Sequence, residues 1–261
     1  MTDGESLGGG NVAGAVVRVG DTVRKPAGPH TPTVHALLTY LHAVGFRGAP
    51  RSWGLDDQGR HVVEYVPGRM LQDTLQDPPD ASGPPHDPAA VGRLARDLHD
   101  ALAAWTPPTD AVWACPIPAD GAELVIHNDL APWNVVVAPD RLVVIDWDSA
   151  APGTRTWDLA YLAVGLVPLR PTTTWPVAVA RLRALADGYG LDDSGRARLA
   201  ATLARRAWSM HDLLAGGHAT GEQPWARLWD EGHGGYWRRD AEWCQERADD
   251  LARALLHPAA P

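Results

Sequence analysis

Short runs of apolar residues, separated by turn signals, dominate the first 66 residues of the chain. Residues 12–19 and 22–25 are predicted to be two strands joined by a Gly-Asp turn. Residues 61–66 are predicted to be a third strand, which a Pro-Gly pair ends. Residues 1–10 are polar and rich in glycine, which predicts a flexible tail. The pattern indicates a small β-rich unit at the start of the chain.

A helix is predicted between the second and third of these strands. Thr31 can cap its start and Pro32 suits its first position, while Gly45 can end it in the left-handed conformation. Its apolar residues recur at helical spacing and form one stripe, Val34, Leu37, Leu38 and Leu41. A helix packed on the strands by this stripe gives a small α+β lobe.

The middle of the chain contains one predicted β-hairpin. Residues 77–88 are rich in proline and aspartate and predict a loop, after which Asp87 can cap an amphipathic helix that starts at Pro88. The apolar runs at residues 135–137 and 142–145 flank a four-residue turn, which predicts the hairpin. A further short strand is predicted before it, at residues 124–126.

From residue 156 onward the pattern is helical. Breaks are predicted at four places, near Pro171 and at residues 188–190, 216–217 and 232–235. The order of elements therefore predicts an α+β protein of two lobes. The small β-rich N-lobe spans residues 1–66, and the larger, mainly helical C-lobe spans residues 67–261.

Charge and cysteine content argue against several classes of function. The net charge of −9 disfavours nucleic-acid binding, since phosphate backbones select basic faces. No apolar run approaches the roughly 18 residues of a membrane span, and the start of the chain lacks a signal-peptide pattern. Cys115 and Cys244 are the two cysteines, too few for a disulfide framework, which predicts a cytoplasmic protein.

Polar residues flank the open end of the predicted hairpin. Asp129 and Asn134 precede its first strand, and Asp146 follows its second. The hairpin should bring the three side chains to one mouth, because its two ends are adjacent in space. Phosphoryl transfer needs a carboxylate that accepts the proton of the attacking hydroxyl, and oxygen ligands for Mg²⁺. The structural alternative is that these residues satisfy backbone groups in turns.

The sequence His-Asn-Asp-Leu-Ala-Pro-Trp-Asn at residues 127–134, with Ile-Asp-Trp after the hairpin, resembles the aminoglycoside phosphotransferase and choline-kinase-like family. These are small-molecule relatives of the protein kinases, so the resemblance implies a two-lobed protein-kinase-like fold. It also implies ATP or GTP as co-substrate and Mg²⁺ as cofactor. By this resemblance Asp129 is the catalytic base, and Asn134 and Asp146 are the metal ligands.

The resemblance also assigns two supporting residues. His127 would hold the catalytic loop without reacting itself. Residues 158–160 match the Asp-Leu-Ala element of the family, so Asp158 would brace that loop from below.

The nucleotide contacts are predicted on the first lobe. Lys25 is the single lysine of the chain, in the strand where kinases place their phosphate-contacting lysine. Arg24 is the alternative, because neighbouring strand residues face opposite sides and one of the two points inward. Glu64 and Val66 lie where the hinge strand of kinases offers its backbone to the purine.

One feature of this lobe departs from the kinase pattern, and a second has two possible interpretations. Kinases pair the lysine with a glutamate on the following helix, but residues 31–44 contain no acidic residue, and His35 lies near the expected place. Residues 8–11, Gly-Gly-Gly-Asn, either fold over the phosphates as a glycine loop or belong to the tail.

The acceptor contacts are predicted in an aromatic and acidic segment at residues 225–243. Carboxylates beside indole rings suit an ammonium or guanidinium group, through ion pairing and cation–π contact. Asp230 and Glu231 are the candidates there, and the alternative is that the tryptophans pack helices and the acids face solvent. Asp148 is a third candidate acceptor contact, with a second metal or a turn cap as its alternatives.

Together these features predict a kinase that moves the γ-phosphoryl group of ATP or GTP to a hydroxyl of a small, amine-bearing molecule such as an aminoglycoside-type antibiotic. Two other classes stay open. A catalytically silent, kinase-like nucleotide-binding protein would explain the missing helix glutamate. A metal-dependent hydrolase would use His127 and the aspartates as zinc ligands.

Overall fold

The computed structural model describes residues 5–7, 16–75, 87–167 and 169–257. Its first part is an antiparallel sheet with the strand order β1-β2-β3-β5-β4. The strands are β1 (Glu5–Ser6), β2 (Val17–Val19), β3 (Thr22–Lys25), β4 (Ser52–Leu55) and β5 (His61–Glu64). The predicted strands are confirmed where they fall within the described residues. The prediction of a flexible tail at residues 1–10 is wrong for Glu5 and Ser6, which pair with β2 as strand β1; two exposed polar residues carry no hydrophobic pattern that would indicate a strand. The sequence pattern also missed β4, because its four residues include Gly54 and a register shift and so lack a clear alternation.

Helix α1 (Thr31–Ala43) packs against this sheet. The predicted apolar stripe is buried, and Gly45 follows the helix at a φ of 80°, as predicted. The prediction of Thr31 as the cap is wrong by one residue, since His30 is the N-cap. The physical reason is that the Thr31 hydroxyl bonds backward, accepting the N–H of Gly28 at 2.9 Å.

The predicted hairpin is confirmed as β8 (Val135–Val137) and β9 (Leu142–Val144), which pair antiparallel. A short strand β6 (Arg69–Met70) pairs with the free edge of β8. The predicted strand before the hairpin is β7 (Leu124–Ile126), and it pairs with β10 (Ala151–Gly153), which follows the hairpin. The two ends of the motif segment are thus tied together by backbone hydrogen bonds.

Helices form most of the remaining regular structure of the described chain, and residues 103–123 form an irregular connection. These helices are α2 (Leu71–Thr74), α3 (Pro88–Leu102), α4 (Arg155–Leu166), α5 (Trp175–Tyr189), α6 (Asp193–Thr220), α7 (Trp225–Asp230), α8 (His233–Glu246) and α9 (Ala248–Leu256). Asp87 caps α3 as predicted, accepting the N–H of Ala89 at 2.9 Å. Within the described ranges, no helix combines the length and apolar character needed to cross a bilayer.

Three of the four predicted helix breaks are confirmed, and the one at residues 216–217 is wrong. Helix α6 continues through both glycines to Thr220. A side chain at Gly217 would overlap Trp225, so this glycine allows α7 to pack closely on α6. Sequence alone could not distinguish a glycine that ends a helix from one that admits a neighbouring helix.

The main apolar core joins α1 to the helical part and continues beneath the hairpin through Val135, Val144 and Trp147. A smaller cluster on the hairpin's other side contains Val66, Val136, Ala138 and Val143. The hairpin is therefore packed on both faces, which fixes the loop at its mouth. Residues 8–11 and most of the predicted loop at 77–88 lie outside the described residues.

Candidate active site

The loop between β7 and β8 brings Asp129 and Asn134 together. The Asn134 amide Nδ2 donates to the Asp129 carboxylate Oδ2 at 2.8 Å and to the Asp129 carbonyl oxygen at 2.9 Å. Pro132–Asn134 form a 3₁₀ turn that aims the amide back at the aspartate. The predicted spacing of four residues between Asp and Asn thus produces a direct contact.

Asp129 lies in an environment that suits a proton acceptor. Its burial, followed by the negative charge of Asp146, raises the pKa of Asp129 to about 7. The nearby Arg206 guanidinium and hydrogen bonds from Asn134 and Tyr161 oppose this rise in pKa. A carboxyl group with a pKa near neutrality is poised to accept a proton at physiological pH.

Asp158, at the start of α4, holds the backbone of the loop. Its carboxylate accepts the N–H of His127 at 3.1 Å and the N–H of Asn128 at 2.9 Å. The ring Nε2 of His99 lies 3.1 Å from the same carboxylate. Burial opposes ionisation of Asp158, but the His99 contact and the backbone donors lower its pKa. This geometry matches the predicted bracing role.

His127 connects the loop to the segment after the hairpin. Its Nε2 donates to the Ile145 carbonyl oxygen at 3.0 Å, and its Nδ1 accepts the N–H of Asp129 at 3.3 Å. Burial lowers the pKa of His127, so the ring is held neutral with one nitrogen donating and the other accepting. Both nitrogens are used in structural contacts, which fits support of the loop.

Asp146 and Asp148, which follow the hairpin, lie beside Lys25 of the sheet. Lys25 Nζ is 2.7 Å from Asp148 Oδ1 and 3.4 Å from Asp146 Oδ1. Arg24 forms an ion pair with Asp56 instead, at 3.2 Å. Of the two predicted alternatives, the structure brings Lys25 to the candidate site.

The predicted hinge residues lie at the end of strand β5 and just after it. Glu64 ends β5, and its carboxylate pairs with Arg141 at 3.1 Å while accepting the N–H of Arg51 at 3.1 Å. Val66 is buried against the hairpin. The segment thus connects the sheet to the hairpin, and the Glu64 side chain is engaged away from Lys25.

The two acceptor candidates on the C-terminal helices lie on the surface. Asp230 pairs with His218 at 3.1 Å, and Glu231 pairs with Arg227 at 2.8 Å. Neither has a contact with Asp129 among the interactions of the described residues. Their acceptor role therefore stays a prediction, and the contacts observed are those of a solvated helix face.

Sequence reasoning missed a set of side chains that lies next to Asp129. Tyr161, on α4, bonds Asp129 and stacks on Trp237 with ring centroids 5.6 Å apart. Trp133 of the catalytic loop packs edge-on against Tyr161 at 5.7 Å. The buried Arg206 lies 3.8 Å above the Tyr161 ring and donates to the Asn128 carbonyl oxygen at 3.0 Å. Trp237 belonged to the aromatic segment of the sequence, but nothing in the sequence linked Arg206 to the loop.

The donor atoms fit Mg²⁺ at the mouth of the hairpin. Because Asn134 Nδ2 donates its hydrogen bond to Asp129, the amide oxygen Oδ1 is available to bind a cation. Asp146 is partly exposed and adopts a left-handed backbone with φ 62°. One carboxylate and one amide oxygen are a sufficient protein share for this metal. The parts of the chain that the structure describes contain no cluster of three or more His, Cys, Asp or Glu side chains that could hold a metal ion.

Comparison with known proteins gives a family model and a curated relative over most of the chain. A family model described as the phosphotransferase enzyme family matches residues 33–201. A trifolitoxin immunity protein of Rhizobium leguminosarum bv. trifolii is 28% identical over 280 residues, covering 95% of this chain and 97% of that protein.

Solved structures share the fold. A choline/ethanolamine kinase family protein from Mesorhizobium loti superposes with a TM-score of 0.61 and 15% identity, over 97% of this chain and 92% of that chain. An amicoumacin kinase in complex with AMP-PNP, Ca²⁺ and Ami superposes with a TM-score of 0.66 and 13% identity, over 95% of this chain and 88% of that chain. The predicted two-lobed, kinase-like α+β fold is thereby confirmed. Since the family model covers more than half of the chain, this protein belongs to the phosphotransferase enzyme family.

Proposed function

We propose that this phosphotransferase moves the γ-phosphoryl group of ATP or GTP to a hydroxyl of a small, amine-bearing molecule such as an aminoglycoside-type antibiotic. The observation that carries the proposal is the Asp129–Asn134 contact at 2.8 Å, opposite Asp146 and Lys25. A proton acceptor, two metal-binding oxygens and a cation for phosphates are the parts that phosphoryl transfer needs.

In this mechanism Asp129 orients the acceptor hydroxyl and takes its proton. Asn134 and Asp146 would hold Mg²⁺, which neutralises charge on the phosphates when bound. Lys25 supplies a fixed positive charge from the sheet, and Asp158 keeps the loop in place. The protein contributes chiefly position and electrostatic stabilisation. We place the nucleotide between an N-lobe of residues 1–66 and a C-lobe of residues 67–261, with the hinge at Glu64 and Val66.

The acceptor side is proposed to be the aromatic group next to Asp129. From Tyr161 and Trp237 the packing continues to Tyr236, whose hydroxyl bonds Arg170, and to Asp240, whose Oδ2 lies 3.3 Å from Arg170 Nη2. Aromatic faces suit a cationic amine, which would have to contact Trp133 and Tyr236, the partly exposed rings of the group, because Tyr161, Trp237 and Asp240 are buried. Asp230 and Glu231 would have to act at the outer edge of this region, whereas Asp148 lies beside Lys25 on the nucleotide side.

Antibiotic inactivation is the proposed use. Two relatives support a protective role by their names, one an immunity protein and the other a kinase of amicoumacin. The choline/ethanolamine kinase relative supports amino alcohols as the competing acceptor class. We place the reaction in the cytoplasm, where nucleoside triphosphates are made and where the two free cysteines stay reduced.

The direct test is mass spectrometry of a panel of amine-bearing antibiotics and amino alcohols, incubated with the protein, Mg²⁺ and ATP or GTP. One acceptor should gain a single phosphoryl group with the wild type and none with Asp129→Asn. The variant should still bind nucleotide, because the carboxylate that it lacks acts on the acceptor hydroxyl and not on the nucleotide. Full turnover by Asp129→Asn would refute the assignment of the base.

A catalytically silent kinase-like protein is the second candidate, favoured by a helix α1 without acidic residues. It predicts nucleotide binding, seen by calorimetry, without transfer to any acceptor or to water. The zinc hydrolase predicts stoichiometric zinc in the purified protein, so elemental analysis separates it from both kinase hypotheses.

A further inference from the structure

Lys25 is a buried ammonium group without a counter-charge on helix α1. Its side chain is only 10% exposed. In protein kinases a glutamate of the equivalent helix pairs with this lysine, but α1 carries none. A buried charge that lacks a partner is strongly destabilising, so the fold must supply one from elsewhere.

Two histidines, His35 of helix α1 and His61 of strand β5, are linked through one serine. His35 Nδ1 lies 2.8 Å from the Ser52 hydroxyl, which lies 2.8 Å from Nε2 of His61. His61 is the cross-strand neighbour of Lys25. Burial, helped by the Lys25 charge, lowers the pKa of His61 to about 4, so this ring is uncharged at neutral pH. Neither His35 nor His61 replaces the missing glutamate, because an imidazole supplies no negative charge and both rings contact the Ser52 hydroxyl.

Asp148 supplies the charge instead. Its Oδ1 is 2.7 Å from Lys25 Nζ, a hydrogen-bond distance, whereas Asp146 Oδ1 is 3.4 Å away. His30, the residue before α1, approaches the same Asp148 oxygen at 3.5 Å. The helix thus reaches the pair through an imidazole at its N-terminus.

The segment that carries Asp148 is anchored by Trp147. Asp146 leads into a 3₁₀ turn, Trp147–Ser149. The Trp147 side chain is buried, donates from Nε1 to the Val144 carbonyl oxygen at 2.9 Å and packs edge-on against His127 at 4.7 Å. This anchor fixes the directions of Asp146 and Asp148, which flank it.

We propose that Asp148 is the positioning residue for Lys25, taking the place that the helix glutamate holds in protein kinases. The inference rests on the proposed function and deepens it. One short turn then sets both a metal ligand, Asp146, and the phosphate-binding lysine. Asp148 is accordingly assigned neither to the acceptor nor to a second metal.

The pairing is tested directly by NMR, because the chain has a single lysine. Protein labelled with ¹⁵N-lysine gives one side-chain ammonium resonance. We expect this resonance to shift and to exchange faster with water in Asp148→Asn, and to stay close to that of the wild type in Asp140→Asn. Asp140 is an exposed carboxylate that pairs with Arg47, so it is a matched control. An unchanged Lys25 resonance in Asp148→Asn would overturn the pairing.

The positioning role is tested by a double-mutant cycle with Lys25→Met and Asp148→Asn, measured as ADP release from MgATP. Each single variant should lower kcat by about 10- to 100-fold, the effect expected for one charge-assisted hydrogen bond. The double variant should lose no more than the worse single variant, because the two residues act as a unit. Asp148→Glu, which keeps the charge, should recover part of the loss.

Three results would contradict the role. Additive losses in the cycle would show that Asp148 and Lys25 act separately. If Asp148→Asn needed more Mg²⁺ to bind AMP-PNP but kept its kcat, Asp148 would be a metal ligand. If the variant raised only the KM for the acceptor, Asp148 would be an acceptor contact. If the wild type bound no AMP-PNP with Mg²⁺, the proposed function itself would fail, while the lysine resonance would still decide whether Asp148 holds Lys25.

Discussion

At the scale of single residues, the site depends on buried charges that are each compensated by a defined partner. Asp158 is matched by two backbone N–H groups and His99, and Asp129 by Asn134 and Tyr161. The contacts lower the pKa of both carboxyl groups, but only in Asp158 do they prevail. In Asp129, burial and the negative charge of Asp146 outweigh them and raise the pKa to about 7. One aspartate is thereby kept ionised as a brace while the other can exchange a proton.

The raised pKa of Asp129 predicts a pH-dependent rate. Its value of about 7 means that the basic form is lost as pH falls below neutrality, so kcat/KM should drop about tenfold per pH unit there. A rate profile from pH 5 to 9 measures this. Bound Mg²⁺ would offset the negative charge of Asp146 and so lower the pKa of Asp129. The fall of kcat on the acidic side should therefore occur at a lower pH than the fall of kcat/KM. A profile that stays flat down to pH 5 would contradict the role of Asp129 as base.

Asp158→Asn is expected to destabilise the fold and the loop together. The amide cannot accept both backbone N–H groups as a carboxylate does, so the free energy of unfolding should fall by about 1.5–3 kcal/mol. The native pKa lies below the unfolded value, so this contribution is complete above about pH 4 and is lost as pH falls further. Urea unfolding at pH 7 and pH 3 measures both effects. Asp140→Asn, at an exposed carboxylate, should change neither.

At the scale of elements, close approach of helices decides where glycine is required. Gly216 and Gly217 are neighbours near the end of α6, yet they have different surroundings. A side chain at Gly216 would meet nothing within 4 Å, whereas one at Gly217 would overlap Trp225 of α7. The helical propensity of the two positions is alike, so packing separates them.

This contrast predicts opposite effects of the same substitution. Gly216→Ala should raise the free energy of unfolding by up to about 1 kcal/mol, because alanine favours the helix. Gly217→Ala should lower it by about 1–3 kcal/mol, because α7 must move. Thermal unfolding of the two variants checks the pair. Stabilisation by both would mean that α7 does not pack on α6 as described.

At the scale of the whole molecule, the sheet and the helical part meet at the site through the contacts of Lys25 with Asp146 and Asp148. A nucleotide that binds between them should stabilise the folded chain as one unit. Residues more than 120 positions apart in the sequence therefore contribute to one binding equilibrium.

Ligand and metal removal test this coupling. MgATP at about 100 times its Kd should add about 2.7 kcal/mol of stability and raise the Tm. EDTA should remove most of this rise in Tm. The Asp146→Ala variant should show little rise in Tm with ATP even when Mg²⁺ is present. Differential scanning fluorimetry with ATP and GTP compares the two nucleotides. Equal Tm values with and without MgATP would argue against nucleotide binding.

The sequence by itself determined the parts of the site that are local. Asp129, Asn134 and Asp146 lie within 18 positions of one another around a hairpin, so their spacing and the two apolar runs beside the turn were enough to predict that they lie at one mouth. The helix α1 stripe and the cap at Asp87 followed from the same kind of local rule. Such features depend on neighbouring residues, which the sequence shows directly.

Tertiary structure alone decided the partners of these residues. The sequence could not identify Asp148 as the counter-charge of Lys25, or connect Arg206 and Tyr161 to the catalytic loop. These contacts join distant segments, and each residue type is common enough to have many candidate partners. The choice among them is made by packing and by the need to neutralise buried charge, and both exist only once the chain has folded.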